Sequence, residues 1–80
     1  MNPDDLLPLL RDVAERAEVR MRRDAGMPSG VVVLKGKITA AIEPGTPAAA
    51  ECKLLVDALK RATLDGIFLP PAVREALGIA

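Results

Sequence analysis

Residues 31–42 place the tightest constraint on the fold. Val31-Val32-Val33-Leu34 and Ile38-Thr39-Ala40-Ala41-Ile42 are two strand-forming runs either side of Lys35-Gly36-Lys37. β-Branched runs interrupted by a glycine read as a hairpin. With Gly36 as the first central residue of a type II′ turn, Leu34 pairs with Thr39 and Val32 with Ala41. One face of the ribbon then carries Val31, Val33, Ile38, Ala40 and Ile42, and the other carries Val32, Leu34, Thr39 and Ala41. Both faces are apolar, and a lone two-stranded ribbon cannot bury both. Helices can cover one face. The second face, or the edge, calls for a third strand, a second copy of the chain or a foreign partner.

The flanking segments supply the helices. Over residues 4–24, Leu6, Leu9, Leu10, Val13, Ala17 and Met21 recur at three- and four-residue spacings and form one stripe. Asp4 or Asp5 can cap the start, and Arg20, Arg22 and Arg23 sit where cations complement the helix dipole. Pro8 is tolerable in a first turn that begins at Asp5. Gly26, Pro28, Ser29 and Gly30 end this element. Thr46 and Pro47 open a second helix whose stripe is Ala48, Cys52, Leu55, Leu59 and Ala62, widened by Val56 and stopped by Asp65-Gly66. Pro70-Pro71 starts a short third helix with Val73, Ala76 and Leu77 inward and Gly78 as its stop. Ile67-Phe68-Leu69 is too short for an independent strand but is a candidate third one. The expected fold is one α+β domain over residues 1–80: helix, small antiparallel β-hairpin or three-stranded sheet, helix, short C-terminal helix.

Composition excludes most chemistry. The 80 residues contain one cysteine, one aromatic ring (Phe68) and no histidine. Cys52, Ser29 and three threonines are the candidate nucleophiles, with no imidazole to activate them. Cys52 lies on an apolar helical stripe and reads as a small core side chain. A structural zinc site needs about four Cys or His ligands, and no glycine loop leading into a helix cradles phosphate. Asp4 and Asp5 read as capping residues, and Glu15 and Glu18 as an ion-paired surface among arginines. The expectation is no enzyme, with no catalytic residue, metal or cofactor.

Eleven basic residues balance eleven acidic ones, so no long-range pull toward nucleic acid or anionic lipid is expected. The first residues are acidic where a signal peptide would be basic, and no apolar run approaches the length of a membrane span. These features point to a cytoplasmic protein away from membranes.

Residues 67–79, Ile67-Phe68-Leu69-Pro70-Pro71-Ala72-Val73-Arg74-Glu75-Ala76-Leu77-Gly78-Ile79, resemble the strand-to-helix segment of AbrB-type DNA-binding domains. The basic readout residues that precede the proline in that family are missing here. The resemblance implies a small dimeric DNA-binding regulator, AbrB-like or antitoxin-like, as an alternative function. Under it Lys35, Lys37, Arg22 and Arg23 are phosphate contacts, although the stacking aromatics common in nucleic-acid readers are absent.

The leading expectation is a non-catalytic protein–protein interaction module. Its small core favours association, with a homodimer formed by hairpins or first-helix stripes. Small phage or mobile-element inhibitors, anti-CRISPR proteins among them, are similar in size and composition, and act by occluding a larger bacterial complex. The candidate partner contacts are Glu15, Glu18, Arg20, Arg22, Arg23, Lys35 and Lys37. A structural subunit of a larger assembly is the third reading.

Overall fold

In the computed structural model, residues 1–79 are described. They form an α+β fold in the order α1 (Pro3–Arg16), β1 (Arg20–Arg22), β2 (Gly30–Leu34), β3 (Lys37–Ala41), α2 (Ala48–Arg61) and α3 (Pro71–Leu77). The sheet order is β1-β3-β2, with β3 central. β2 pairs antiparallel to β3, and β1 parallel to it.

The first helix is shorter than its hydrophobic stripe suggests. Asn2, rather than Asp4 or Asp5, is its cap, accepting from the Asp5 N–H at 3.0 Å. Pro8 therefore lies inside the helix, where it leaves one carbonyl of the preceding turn without its usual donor. The helix ends at Arg16 instead of continuing to residue 24. Glu18 turns left-handed at φ 61°, and the Val19 N–H returns to the Ala14 carbonyl at 2.9 Å. This is a Schellman-type stop with glutamate in the position usually given to glycine. Val19 drops into the core, and the chain continues as β1. The third strand is thus Arg20–Arg22, and Ile67-Phe68-Leu69 is irregular.

The hairpin forms in a register different from the expected one. Leu34 pairs with Lys37 and Val32 with Thr39, so the two central turn residues are Lys35 and Gly36. Both have positive φ, 52° and 77°, as a type I′ turn requires. The slip moves each partner by two positions, so every side chain keeps the face expected of it. Val31, Ile38 and Ala40 look toward the helices and join the core. Val32, Leu34, Lys37, Thr39 and Ala41 occupy the opposite face, together with Arg20 and Arg22 of β1.

Both long helices lie on one side of the sheet. Leu10, Val13 and Ala14 of α1 pack with Leu55, Ala58 and Leu59 of α2, and Val73 and Leu77 of α3 close the cluster. Thr46 does not cap α2. Its hydroxyl donates to the Glu43 carbonyl, and Pro47 takes the cap position. Gly78 ends α3 in the left-handed conformation. The result is two layers, 36 × 30 × 16 Å overall; among the described residues the sheet's second face carries no helix, although its central-strand residues Thr39 and Ala41 are buried.

Candidate functional site

Three strands place three kinds of side chain on the open face. β1 contributes Arg20 and Arg22, the central strand contributes Lys37, Thr39 and Ala41, and β2 contributes Val32 and Leu34. Read across the sheet, Arg20, Thr39 and Val32 form one row, and Arg22, Ala41 and Gly30 the next. A cationic border therefore runs along one edge and an apolar strip along the other. Val32 and Leu34 are both exposed. Thr39, between Arg20 and Val32, is fully buried, and its hydroxyl has no hydrogen-bond partner among the described residues.

The expected contact residues divide into two groups. Glu15, Glu18, Arg20 and Lys37 line one shallow depression with Val19 and Met21. Glu18 and Lys37 approach to 3.8 Å across it. Arg22, Arg23 and Lys35 stand apart from that depression. Arg22 pairs with Asp24 at 2.9 Å, and Lys35 occupies the hairpin turn. Arg23 is committed to a buried partner: it donates to Glu51 at 2.8 Å, as does Arg11. Arg20 has no carboxylate within salt-bridge distance among the described residues.

Glu51 is a charged residue that the sequence pattern did not single out. Its place in the first turn of α2, one residue before Cys52, puts it on the inward side, where it is 2 % exposed. Burial pushes its carboxyl toward protonation and is the largest single influence. The hydrogen bonds and charges of Arg11 and Arg23 together outweigh it and hold the pKa below the usual carboxylate range. A buried acid held ionised by two guanidinium groups joins α1, the segment after β1 and α2.

Cys52 is buried, with its sulfur 3.5 Å from the Pro3 carbonyl. Burial, then the nearby Glu51 charge, push the thiol up from its ordinary pKa, which favours the unreactive protonated form. Among the described residues no group of three His, Cys, Asp or Glu side chains has the geometry to hold a metal ion. None of their helices is long and apolar enough to cross a membrane. Phe68, the single ring, is 72 % exposed, so the core is entirely aliphatic apart from Cys52. Comparison with protein-family models, curated proteins and solved structures finds no match for this chain.

Proposed function

We propose that the chain is a non-catalytic protein-interaction module, cytoplasmic and self-associating, that binds a larger protein through the open face of its sheet. The observation that carries this reading is the arrangement of that face, an apolar strip of Val32 and Leu34 on β2 and a cationic border of Arg20 and Arg22 on β1, with Lys37 between them on the central strand. The chemistry that matches it is a protein surface with an apolar ridge flanked by carboxylates. Apolar contact supplies affinity, and the border supplies orientation and encounter rate. A rigid, flat module of this kind acts by occupying a surface that a larger assembly needs, as a small phage-type inhibitor would. The buried, protonated thiol and the structural commitment of Glu51 support a role without catalysis.

The test is a photo-crosslinking amino acid placed at Lys37, on the open face, or at Lys53, on the exposed flank of α2. The expected result is a protein adduct from position 37, lost when Arg20 and Arg22 are both changed to Glu, and none from position 53. Adducts that form equally from both positions would refute the reading. So would tight binding of random duplex DNA that weakens steeply with salt and disappears in Arg20→Glu, because that result assigns the cationic border to phosphate.

A further inference from the structure

The edge of β2 carries a second interaction surface. We infer that it pairs with β2 of a second copy, antiparallel, about a two-fold axis through Val32, joining two three-stranded sheets into one of six strands. This refines the self-association proposed above by naming the surface and its register.

The backbone supplies the first argument. β2 lies at the sheet edge. The pair that closes a two-residue turn is hydrogen-bonded, and the pairs alternate from there. Leu34, Val32 and Gly30 therefore turn their N–H and C=O groups toward β3, and Val31 and Val33 turn theirs outward. Edges of this kind are usually blunted by charge, proline or shortness. The β1 edge is three residues long with two arginines, whereas Gly30–Leu34 has neither charge nor proline. An axis through Val32 sets Val31 opposite the second copy's Val33, and the reverse, so all the outward groups meet as hydrogen-bonded pairs. Moving the axis to Val33 would set Val31 opposite Lys35, whose φ of 52° has already left the strand.

Side chains agree with the same register. Leu34 falls opposite the second copy's Gly30, where a Cβ would have no neighbour within 4 Å, so a large side chain faces an open seat. Val33, 61 % exposed, gains the second copy's Val31 beside it. Charge also matches. Lys35 stands at one end of β2, and Glu43 is held at the other by its N–H bond to the Ser29 hydroxyl at 2.9 Å. Antiparallel pairing sets Lys35 opposite the second copy's Ser29, beside the Glu43 that its hydroxyl holds, so opposite charges neighbour each other at both ends, whereas parallel pairing would set like charges together.

Light scattering after size exclusion, from about 1 μM to about 1 mM protein, spans the affinities typical of weak pairing. The expected mass rises from 8.4 kDa to twice that value. Val33→Pro removes an N–H that serves no bond to β3, and Gly30→Val fills the seat of Leu34. Each is expected to weaken dimerisation at least about tenfold, with the far-UV circular dichroism of the monomer retained; if Val33→Pro disturbs folding, Gly30→Val carries the test. Lys35→Glu and Glu43→Lys are each expected to weaken it, and the double exchange to restore it. In a Cys52→Ser background, Val32→Cys should oxidise to a self-linked dimer, because a non-hydrogen-bonded pair brings its Cα atoms to about 4.5 Å; Lys53→Cys should not. A monomer over the whole range overturns both the edge and self-association. A dimer indifferent to Val33→Pro and Gly30→Val overturns the edge and leaves self-association through another surface.

Discussion

Replacing Glu51 tests whether a single buried carboxylate ties the two long helices to the segment that follows β1. Its Oε2 accepts from Arg11 and from Arg23, each at 2.8 Å. A hydrogen bond to a charged group contributes about 1.5–3 kcal/mol, which sets an upper bound of about 3–6 kcal/mol for the two. Both guanidinium groups are nearly half exposed, at 43 % and 44 %, and recover much of their hydration when released. The expected cost of Glu51→Ala is therefore about 2–3 kcal/mol, against a total stability of about 4–12 kcal/mol for a chain of this length. With a urea m-value near 1 kcal/mol/M, the midpoint should fall by about 2–3 M. Glu51→Gln keeps an acceptor and loses the charge, so about half that loss is expected. The pH dependence has a definite sign. The folded pKa of Glu51 is depressed below the unfolded value of about 4.3, so its contribution is complete above that value and is lost as pH falls through the folded pKa. The stability gap between wild type and Glu51→Gln should accordingly be full at neutral pH and close under acid conditions. A Glu51→Ala midpoint within about 0.3 M of wild type, or a gap that widens in acid, would refute the reasoning.

Four further outcomes follow from burial and backbone geometry. Leu55→Ala empties a fully buried site and should cost about 2–5 kcal/mol by urea titration, whereas Phe68→Ser, at an exposed ring, should stay within about 0.5 kcal/mol of wild type. Thr39→Val removes a buried hydroxyl without a partner among the described residues and should raise the thermal midpoint; a loss of more than about 1 kcal/mol would show that the hydroxyl is hydrogen-bonded. Glu18→Gly relieves a left-handed glutamate at φ 61° and should stabilise by about 0.5–1 kcal/mol, less whatever the Lys37 contact contributes. A drop in midpoint would mean that the ion pair outweighs the backbone strain.

The parts of the fold that were legible in the sequence are those in which local chemistry and tertiary packing agree. Proline starts and a glycine stop frame α3, and the spacing of Leu55 and Leu59 marks the buried side of α2. The hairpin's faces were legible although its register was not. A glycine between two lysines suits either central position of a primed turn, and a two-residue slip leaves every face unchanged. The end of α1 was not legible, because Ala17 and Met21 continue a helical period while Glu18 occupies a position where only glycine would have signalled a stop. A three-residue strand such as β1 has no periodicity of its own. It forms because β3 offers a free edge and Val19 offers an anchor. The same error hid the site: on a helix, Arg20 and Arg22 project along different directions, whereas on β1 they share the open face with Thr39 and Ala41. Glu51 was hidden for a simpler reason, since a carboxylate in a first helical turn is ordinarily explained by the helix dipole.

Half of the residues are hydrophobic, in a two-layer fold whose shortest extent is 16 Å. The accessible area of 4977 Å² exceeds the roughly 4,600 Å² usual for a monomeric protein of this mass. Hydrophobic side chains left singly on a surface need no explanation. Here Val32, Val33 and Leu34 are consecutive, all exposed, and lie on a strand whose outer edge is unpaired. The opposite edge, with two arginines in three residues, has the protection that β2 lacks. An unprotected edge strand with exposed apolar side chains on both of its faces promotes pairing with another chain. Half-covering it with a few charges would have removed that tendency at little cost to a core in which these three side chains take no part. The asymmetry between the two edges is the ground on which association is proposed for β2.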